Sequence, residues 1–132
     1  MEVTHGRGYV YSIQYHIVWC VKYRHKIITE KIENRLIEIL NKIADDNGFQ
    51  ILECNTDKDH IHYMMETEPT MSISKIVNLM KSYTTYHIWK RYPDYLRKHF
   101  LKEHTFWTDG YFVCSVGNVS EGMLRKYIEN QG

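Results

Sequence analysis

His60-Ile61-His62 is the stretch of this chain with the clearest chemical promise. It heads an alternating run, His60 to about Glu66, whose pattern predicts a β-strand. Side chains two apart on a strand leave from one face, at roughly 6.5–7 Å between Cα atoms. Two imidazoles so placed aim at one point, as adjacent ligands of a divalent cation must. Ile61, Tyr63 and Met65 take the opposite, apolar face. The chain has 8 histidines, so a chance pair is possible and spacing alone does not separate a cation site from two sheet imidazoles. Asp59, just before the pair, reads as a turn residue.

A second pair lies near the other end. Tyr127 and Gln131 are four apart and share a face if the segment is helical. Gln131 offers an amide oxygen and Tyr127 a phenol. Two imidazoles and one oxygen would leave positions open on a six-coordinate ion such as Mg²⁺ or Mn²⁺, and a substrate phosphate could fill them. A phenol ordinarily titrates near pH 10, at about the Tyr value. As phenolate it attacks phosphorus, and it leaves again when a sugar hydroxyl attacks later. Cleavage and rejoining by that route need no external energy source. The plain alternative is a packed Tyr127 and a Gln131 that merely ends its helix.

The elements that would position these groups follow in order. Tyr9 to Val21 alternates and predicts one long first strand, with Tyr11, Ile13, Tyr15, Ile17, Trp19 and Val21 on one face and His16 on the other. Lys22 to Lys26 is a basic exit loop. Thr29 is an N-cap for a helix from Glu30 to Asp46, with Asn47-Gly48 as its stop. Phe49 to Cys54 predicts a second strand, and Asn55 to Asp59 a polar connection of hairpin length. Pro69 ends the histidine strand, and Ser72 caps a second long helix that Pro93 interrupts. A short helix, Asp94 to about Leu101, follows. Thr108-Asp109-Gly110 between Thr105–Trp107 and Tyr111–Val116 predicts a tight hairpin. Ser120 caps a last helix from about Glu121 to Gln131, with Val119 and Leu124 spaced as a staple. This order, with one 132-residue domain, matches an α+β, ferredoxin-like split βαβ sheet (β-α-β-β-α-β) plus a C-terminal helix. The first and third strands would be central, and the His pair would face away from the crossover helices.

Composition narrows the partners. No apolar run of about 18 residues exists, so a membrane span is not expected. The N-terminal residues lack the regions of a signal peptide, which predicts a cytoplasmic protein. The 3 cysteines, without C-x-x-C spacing, predict buried thiols in a reducing compartment. Net charge is only +1, yet Lys75 to Lys102 holds seven Lys/Arg against the single acid Asp94, with Tyr83, Tyr86, Trp89, Tyr92 and Tyr95 interleaved. Basic groups neutralise phosphates and aromatic faces stack on unpaired bases. Lys75, Lys81, Lys90 and Arg91, extended by Lys22, Arg24 and Lys26, are therefore candidate DNA contacts. A solvated helix face over a packed aromatic stripe is the bland reading of the same pattern.

Four segments, in the right order and spanning nearly the whole chain, resemble the single-tyrosine, HUH-type transposases of the smallest bacterial and archaeal insertion sequences. They are Tyr15-His16-Ile17-Val18-Trp19-Cys20-Val21-Lys22-Tyr23-Arg24, Asp57-Lys58-Asp59-His60-Ile61-His62, Trp107-Thr108-Asp109-Gly110-Tyr111-Phe112, and the helix bearing Tyr127 and Gln131. The resemblance implies an enzyme that cuts and rejoins single-stranded DNA at hairpin-bearing ends. It implies Tyr127 as nucleophile, forming a 5′-phosphotyrosine link, and a divalent metal, Mg²⁺ or Mn²⁺, held by His60, His62 and Gln131. It also implies a homodimer with composite sites, the His pair of one chain facing the tyrosine helix of the other. Gln131 falls where a helix end leaves carbonyls unpaired, so its placement is expected to depend on DNA or on a partner subunit. The rivals are a non-catalytic ferredoxin-like nucleic-acid-binding module and a metal-dependent hydrolase that uses water.

Overall fold

The computed structural model describes residues 4–6, 9–11, 13–68, 70–115 and 121–131. Strands β1 (Thr4–Gly6) and β2 (Tyr9–Tyr11) form a small antiparallel pair of their own. The long first strand expected from Tyr9 is therefore divided: only β3 (Gln14–Cys20) enters the main sheet. Alternation continues across both pieces, so pattern alone could not reveal that they belong to different sheets.

Helix α1 (Glu30–Asn47) starts where Thr29 Oγ1 accepts from the Ile32 amide at 3.3 Å. It ends at Gly48, whose φ of 75° suits a residue without Cβ. Strand β4 (Gln50–Asp57) runs three residues further than expected and returns through a two-residue turn, Lys58-Asp59, into β5 (His60–Glu66). The polar residues 55–57 belong to the ladder: Asn55, Thr56 and Asp57 pair with His62, Ile61 and His60. Helix α2 (Ile73–Arg91) is capped by Ser72, and Pro93 opens α3 (Pro93–Phe100) at a position that needs no amide donor.

Strand β6 (Phe112–Ser115) completes an antiparallel sheet in the order β4-β5-β3-β6. The first and third main strands are thus central, as the split βαβ order requires. Ile17, Trp19, Ile61, Tyr63 and Met65 face one side and bury into a core with Ile32, Leu36, Leu40, Val77, Met80 and Ile88. Helix α4 (Glu121–Glu129) lies on the other side, where it touches β3. There the Tyr127 ring meets that of Phe112, which pairs with Val18, at 5.7 Å between centroids. Val18 and Cys20 are consequently buried although they point away from α1 and α2. The expected cap at Ser120, the staple residue Val119, Val116 and Pro69 lie outside the described residues.

The hairpin expected at Thr108-Asp109-Gly110 does not form. Trp107 bridges to Val21 and Phe112 pairs with Val18, so both flanks run along the same strand. Three side chains hold the segment between them against α2. The Trp107 indole donates to Thr84 Oγ1 at 2.8 Å, Trp89 donates to the Thr105 carbonyl at 2.7 Å, and the Lys81 ammonium donates to the carbonyls of Thr108 and Gly110. Asp-Gly supplies a positive-φ residue, Gly110 at 82°, but for an excursion in an edge strand rather than for a reversal.

Candidate active site

The site grows from the strand period. On β5, His60 and His62 project to the α4 side while Ile61 and Tyr63 are buried on the other. Pairing adds neighbours on the same face: Asp57 opposite His60, and Asn55 opposite His62 from β4, with Cys20 and Val18 opposite them from β3. Helix α4 closes this face. Arg125, Ile128 and Glu129 line a cleft of about 850 Å³ with Arg24, Lys26, Asp57, Asp59 and His60.

The two imidazoles are held differently. His60 Nδ1 lies 2.8 Å from Asp59 Oδ1. Asp59 is buried, and burial raises its carboxyl; the bonds from His60 and Arg24 and the Arg24 charge more than offset this, leaving it below the ordinary carboxylate value. The carboxylate only accepts, so His60 Nδ1 carries a proton, and in the neutral ring this leaves the lone pair on Nε2. His62 has another imidazole beside it: His16 Nδ1 is 3.0 Å from His62 Nε2. Burial, together with His16, lowers the His62 imidazole below the usual His value, and Glu53 opposes that shift. His62 is therefore neutral and a competent ligand at neutral pH.

Among the described residues, Asp57, Asp59 and His60 are the trio whose ligand atoms lie within 4.8 Å of one another. A carboxylate and an imidazole nitrogen suit Mg²⁺ or Mn²⁺, so the donor set fits a divalent cation. Asp57 and Asp59 were not singled out by spacing. Asp59 would have been findable as a carboxylate adjoining a candidate ligand, the usual partner of a metal-binding histidine.

Tyr127 sits half-buried against this face, and its hydroxyl is buried with no hydrogen-bond partner among the described residues. Burial, with the Cys20 thiol nearby, pushes the phenol up to about 12. Gln131 follows α4 in a turn, half-buried, its backbone N–H donating to the Ile128 carbonyl at 3.2 Å. The thiols are not rival nucleophiles: burial raises Cys20 and Cys54 to about 11.

The basic candidates do not converge. Lys22 pairs with Glu103 at 3.8 Å, and Arg24 is turned onto Asp59. Lys81 is half-buried, bonded to the two loop carbonyls, and lowered by burial to about 8 against the pull of Asp109 and Cys20. Lys90 lines a groove of about 770 Å³ with Tyr86, Trp89, Arg97 and His104, whereas Arg91 faces a separate hollow beside Lys31. Lys75 is exposed near the start of α2.

The sheet is a split βαβ whose HxH strand faces a helix bearing a tyrosine, and the comparisons give the family. The profile described as "Transposase IS200 like" matches residues 9–131. The chain therefore belongs to the IS200-like transposase family. It is 32% identical over 131 residues to the ISDra2 transposase TnpA of Deinococcus radiodurans, covering 99% of this chain and 92% of that one. It is 30% identical over 121 residues to the transposase for insertion sequence element IS200 of Salmonella typhimurium, covering 92% and 78%. A crystal structure described as that of a transposase from Deinococcus radiodurans R1 superposes with a TM-score of 0.88 at 29% identity, over 97% of each chain. The fold is also shared with a REP-associated tyrosine transposase bound to a REP hairpin, with a TM-score of 0.57 at 15% identity, over 98% of this chain and 69% of that one.

Proposed function

We propose that this transposase cuts and rejoins single-stranded DNA at hairpin-bearing element ends, with Tyr127 as the nucleophile and a divalent cation at His60 and His62. The observation that carries the reading is the position of α4. It lies over the sheet face that bears His60, and Tyr127 presents a buried hydroxyl with no hydrogen-bond partner among the described residues. An unsatisfied buried polar atom is costly, and a hydroxyl awaiting a phosphate accounts for it.

In this scheme the Tyr127 oxygen attacks the scissile phosphorus. The bond to the 3′ oxygen breaks, a 5′-phosphotyrosine forms, and a 3′-hydroxyl is released; attack by a 3′-hydroxyl on the phosphotyrosine restores the diester. Bound Mg²⁺ or Mn²⁺ would polarise the phosphate and offset its charge. His60 offers Nε2, fixed by Asp59; His62 offers Nε2 once His16 yields it; Gln131 contributes its amide oxygen, and Asp57 stands beside His60. Arg125 and Lys26, on the rim of the cleft, suit the phosphates flanking the scissile one. The protein works as a homodimer, in which the tyrosine helix serves either its own histidines or those of the partner.

The test is incubation of hairpin-bearing single-stranded DNA with Mn²⁺, resolved on a denaturing gel. A covalent protein–DNA band is expected, absent in Tyr127→Phe, His60→Ala and His62→Ala, with hairpin binding retained in all three. Cleavage surviving in Tyr127→Phe would assign the reaction to water, and binding without cleavage by the unaltered chain would make it a non-catalytic module. Light scattering is expected to give a dimer mass.

A further inference from the structure

We infer that Arg24 is a positioning residue for the cation-binding imidazole of His60, acting through Asp59, and is not a contact for DNA. The inference rests on the reading of His60 as a ligand given above.

The geometry is a three-member chain. Arg24 Nε and Nη2 both donate to Asp59 Oδ2, at 3.2 and 3.0 Å. His60 Nδ1 donates to the other oxygen, Oδ1, at 2.8 Å. The carboxylate is thus divided: one oxygen serves the guanidinium and the other the imidazole. Asp59 is 7% exposed, so water does not compete strongly for either oxygen. The fork fixes the carboxylate plane, the plane fixes the His60 ring, and the protonated Nδ1 leaves Nε2 as the lone-pair nitrogen. Asp59 lies within ligand distance of His60 and Asp57, but both its oxygens are already engaged, which suits it to orienting a ligand rather than to being one.

The backbone that carries Arg24 is strained. Lys22–Arg24 forms a single 3₁₀ turn in which Tyr23 and Arg24 have φ of 61° and 51°. Neither is glycine, and such conformations cost on the order of 1 kcal/mol each. They persist because the segment is fixed from several sides. The Val21 amide donates to the Asp59 carbonyl at 2.8 Å, Lys22 to Phe106 at 2.9 Å and Ile28 to Lys58 at 2.9 Å. The Tyr23 hydroxyl reaches the Glu103 carboxylate at 3.1 Å. A phosphate contact needs no such strain, since a freely extended arginine would reach DNA more easily.

Arg24→Ala, Arg24→Lys and Asp59→Ala decide the matter, each with three measurements. The first is the His60 tautomer in cation-free, ¹⁵N-labelled protein, from long-range ¹H–¹⁵N correlations. The second is Mn²⁺ affinity by electron paramagnetic resonance. The third is hairpin DNA affinity in chelator. The unaltered chain is expected to hold His60 wholly as the Nδ1–H form. Asp59→Ala and Arg24→Ala are expected to mix the tautomers and weaken Mn²⁺ by about ten- to a hundredfold, the range seen for partners of metal ligands. Hairpin affinity should change less than about twofold. Arg24→Lys keeps the charge but loses the fork, and is expected to show a smaller shift of the same kind; should Arg24→Ala not fold, this variant decides. An unchanged tautomer and Mn²⁺ affinity in the Arg24 variants would overturn the inference, as would a loss of hairpin affinity matching the loss for Mn²⁺. The tautomer reports on the Arg24–Asp59–His60 chain even if the unaltered protein binds no Mn²⁺, an outcome that would sink the cation reading instead.

Discussion

His16 Nδ1 stands 3.0 Å from His62 Nε2, with the two rings tilted by 39° and their centroids 5.2 Å apart. His16 leaves β3 on the same face as His62 leaves β5, two residues along the ladder: it lies opposite Met64, the next pair on that face after Val18–His62. At that separation one nitrogen donates and the other accepts. If His62 keeps the lone pair, His16 is the donor, and a cation arriving at Nε2 must displace it.

That competition is measurable. A hydrogen bond of this kind contributes about 0.5–1.5 kcal/mol net, equivalent to about two- to tenfold in affinity. His16→Phe keeps an aromatic ring and removes the donor, so Mn²⁺ should bind about two- to tenfold more tightly, as read by titration under electron paramagnetic resonance. Weaker binding would instead make His16 a ligand in its own right.

The Tyr127 phenol, raised to about 12 by burial and by Cys20, is protonated at neutral pH. Raising the pKa lowers the phenolate fraction at any given pH, and well below the pKa that fraction grows about tenfold per pH unit. Single-turnover formation of the protein–DNA link should therefore climb about tenfold per unit from pH 7 to pH 9. A flat profile would mean that another group takes the proton in advance, or that α4 moves Tyr127 into a wetter position before reaction.

Lys81 offers a contrast with the reading of its helix as a DNA grip. Its ammonium is committed to the carbonyls of Thr108 and Gly110 and stands 5.7 Å from the centre of the Trp19 ring. Hydrogen bonds to a charged group are worth about 1.5–3 kcal/mol. Lys81→Met should lower stability by about that much in urea unfolding, while hairpin affinity changes little. A large fall in affinity without loss of stability would return Lys81 to the list of phosphate contacts.

Thr84 is the buried member of the same attachment. Its hydroxyl donates to the Met80 carbonyl at 2.7 Å and receives the Trp107 indole at 2.8 Å. Thr84→Val keeps the shape but strands the indole donor, at a cost of about 1–3 kcal/mol. The expected signature is a lower thermal midpoint together with a red-shifted tryptophan emission as Trp107 loosens from α2.

What the sequence made legible was local or periodic. The β5 faces, the caps at Thr29 and Ser72, the stop at Gly48 and the central place of β3 and β5 all follow from spacing and from residue types with strong preferences. What it hid was decided between distant segments. Asp109-Gly110 carries a hairpin signal, yet Val21, Thr84 and Lys81 determine where that segment goes. The left-handed Tyr23 and Arg24 leave no trace in residue type, because only surrounding contacts force non-glycine residues there. Arg24 therefore reads as one more basic residue in a basic stretch. His16 appears from alternation as a possible neighbour of the pair, but its distance from His62 depends on the register between strands.

That register also bears on how the gene can change. Between Ile51 and Glu53 the β4 strand already carries one surplus residue, Leu52, as an exposed bulge. An in-frame codon gained or lost there is absorbed by re-forming or removing the bulge. One lost from Lys58-Asp59 has no such outlet: shifting β5 by a single position turns both imidazoles into the hydrophobic interior and Ile61 out toward α4. Length variation among descendants of this sequence should accordingly collect at the bulge, and the two-residue turn should not shorten.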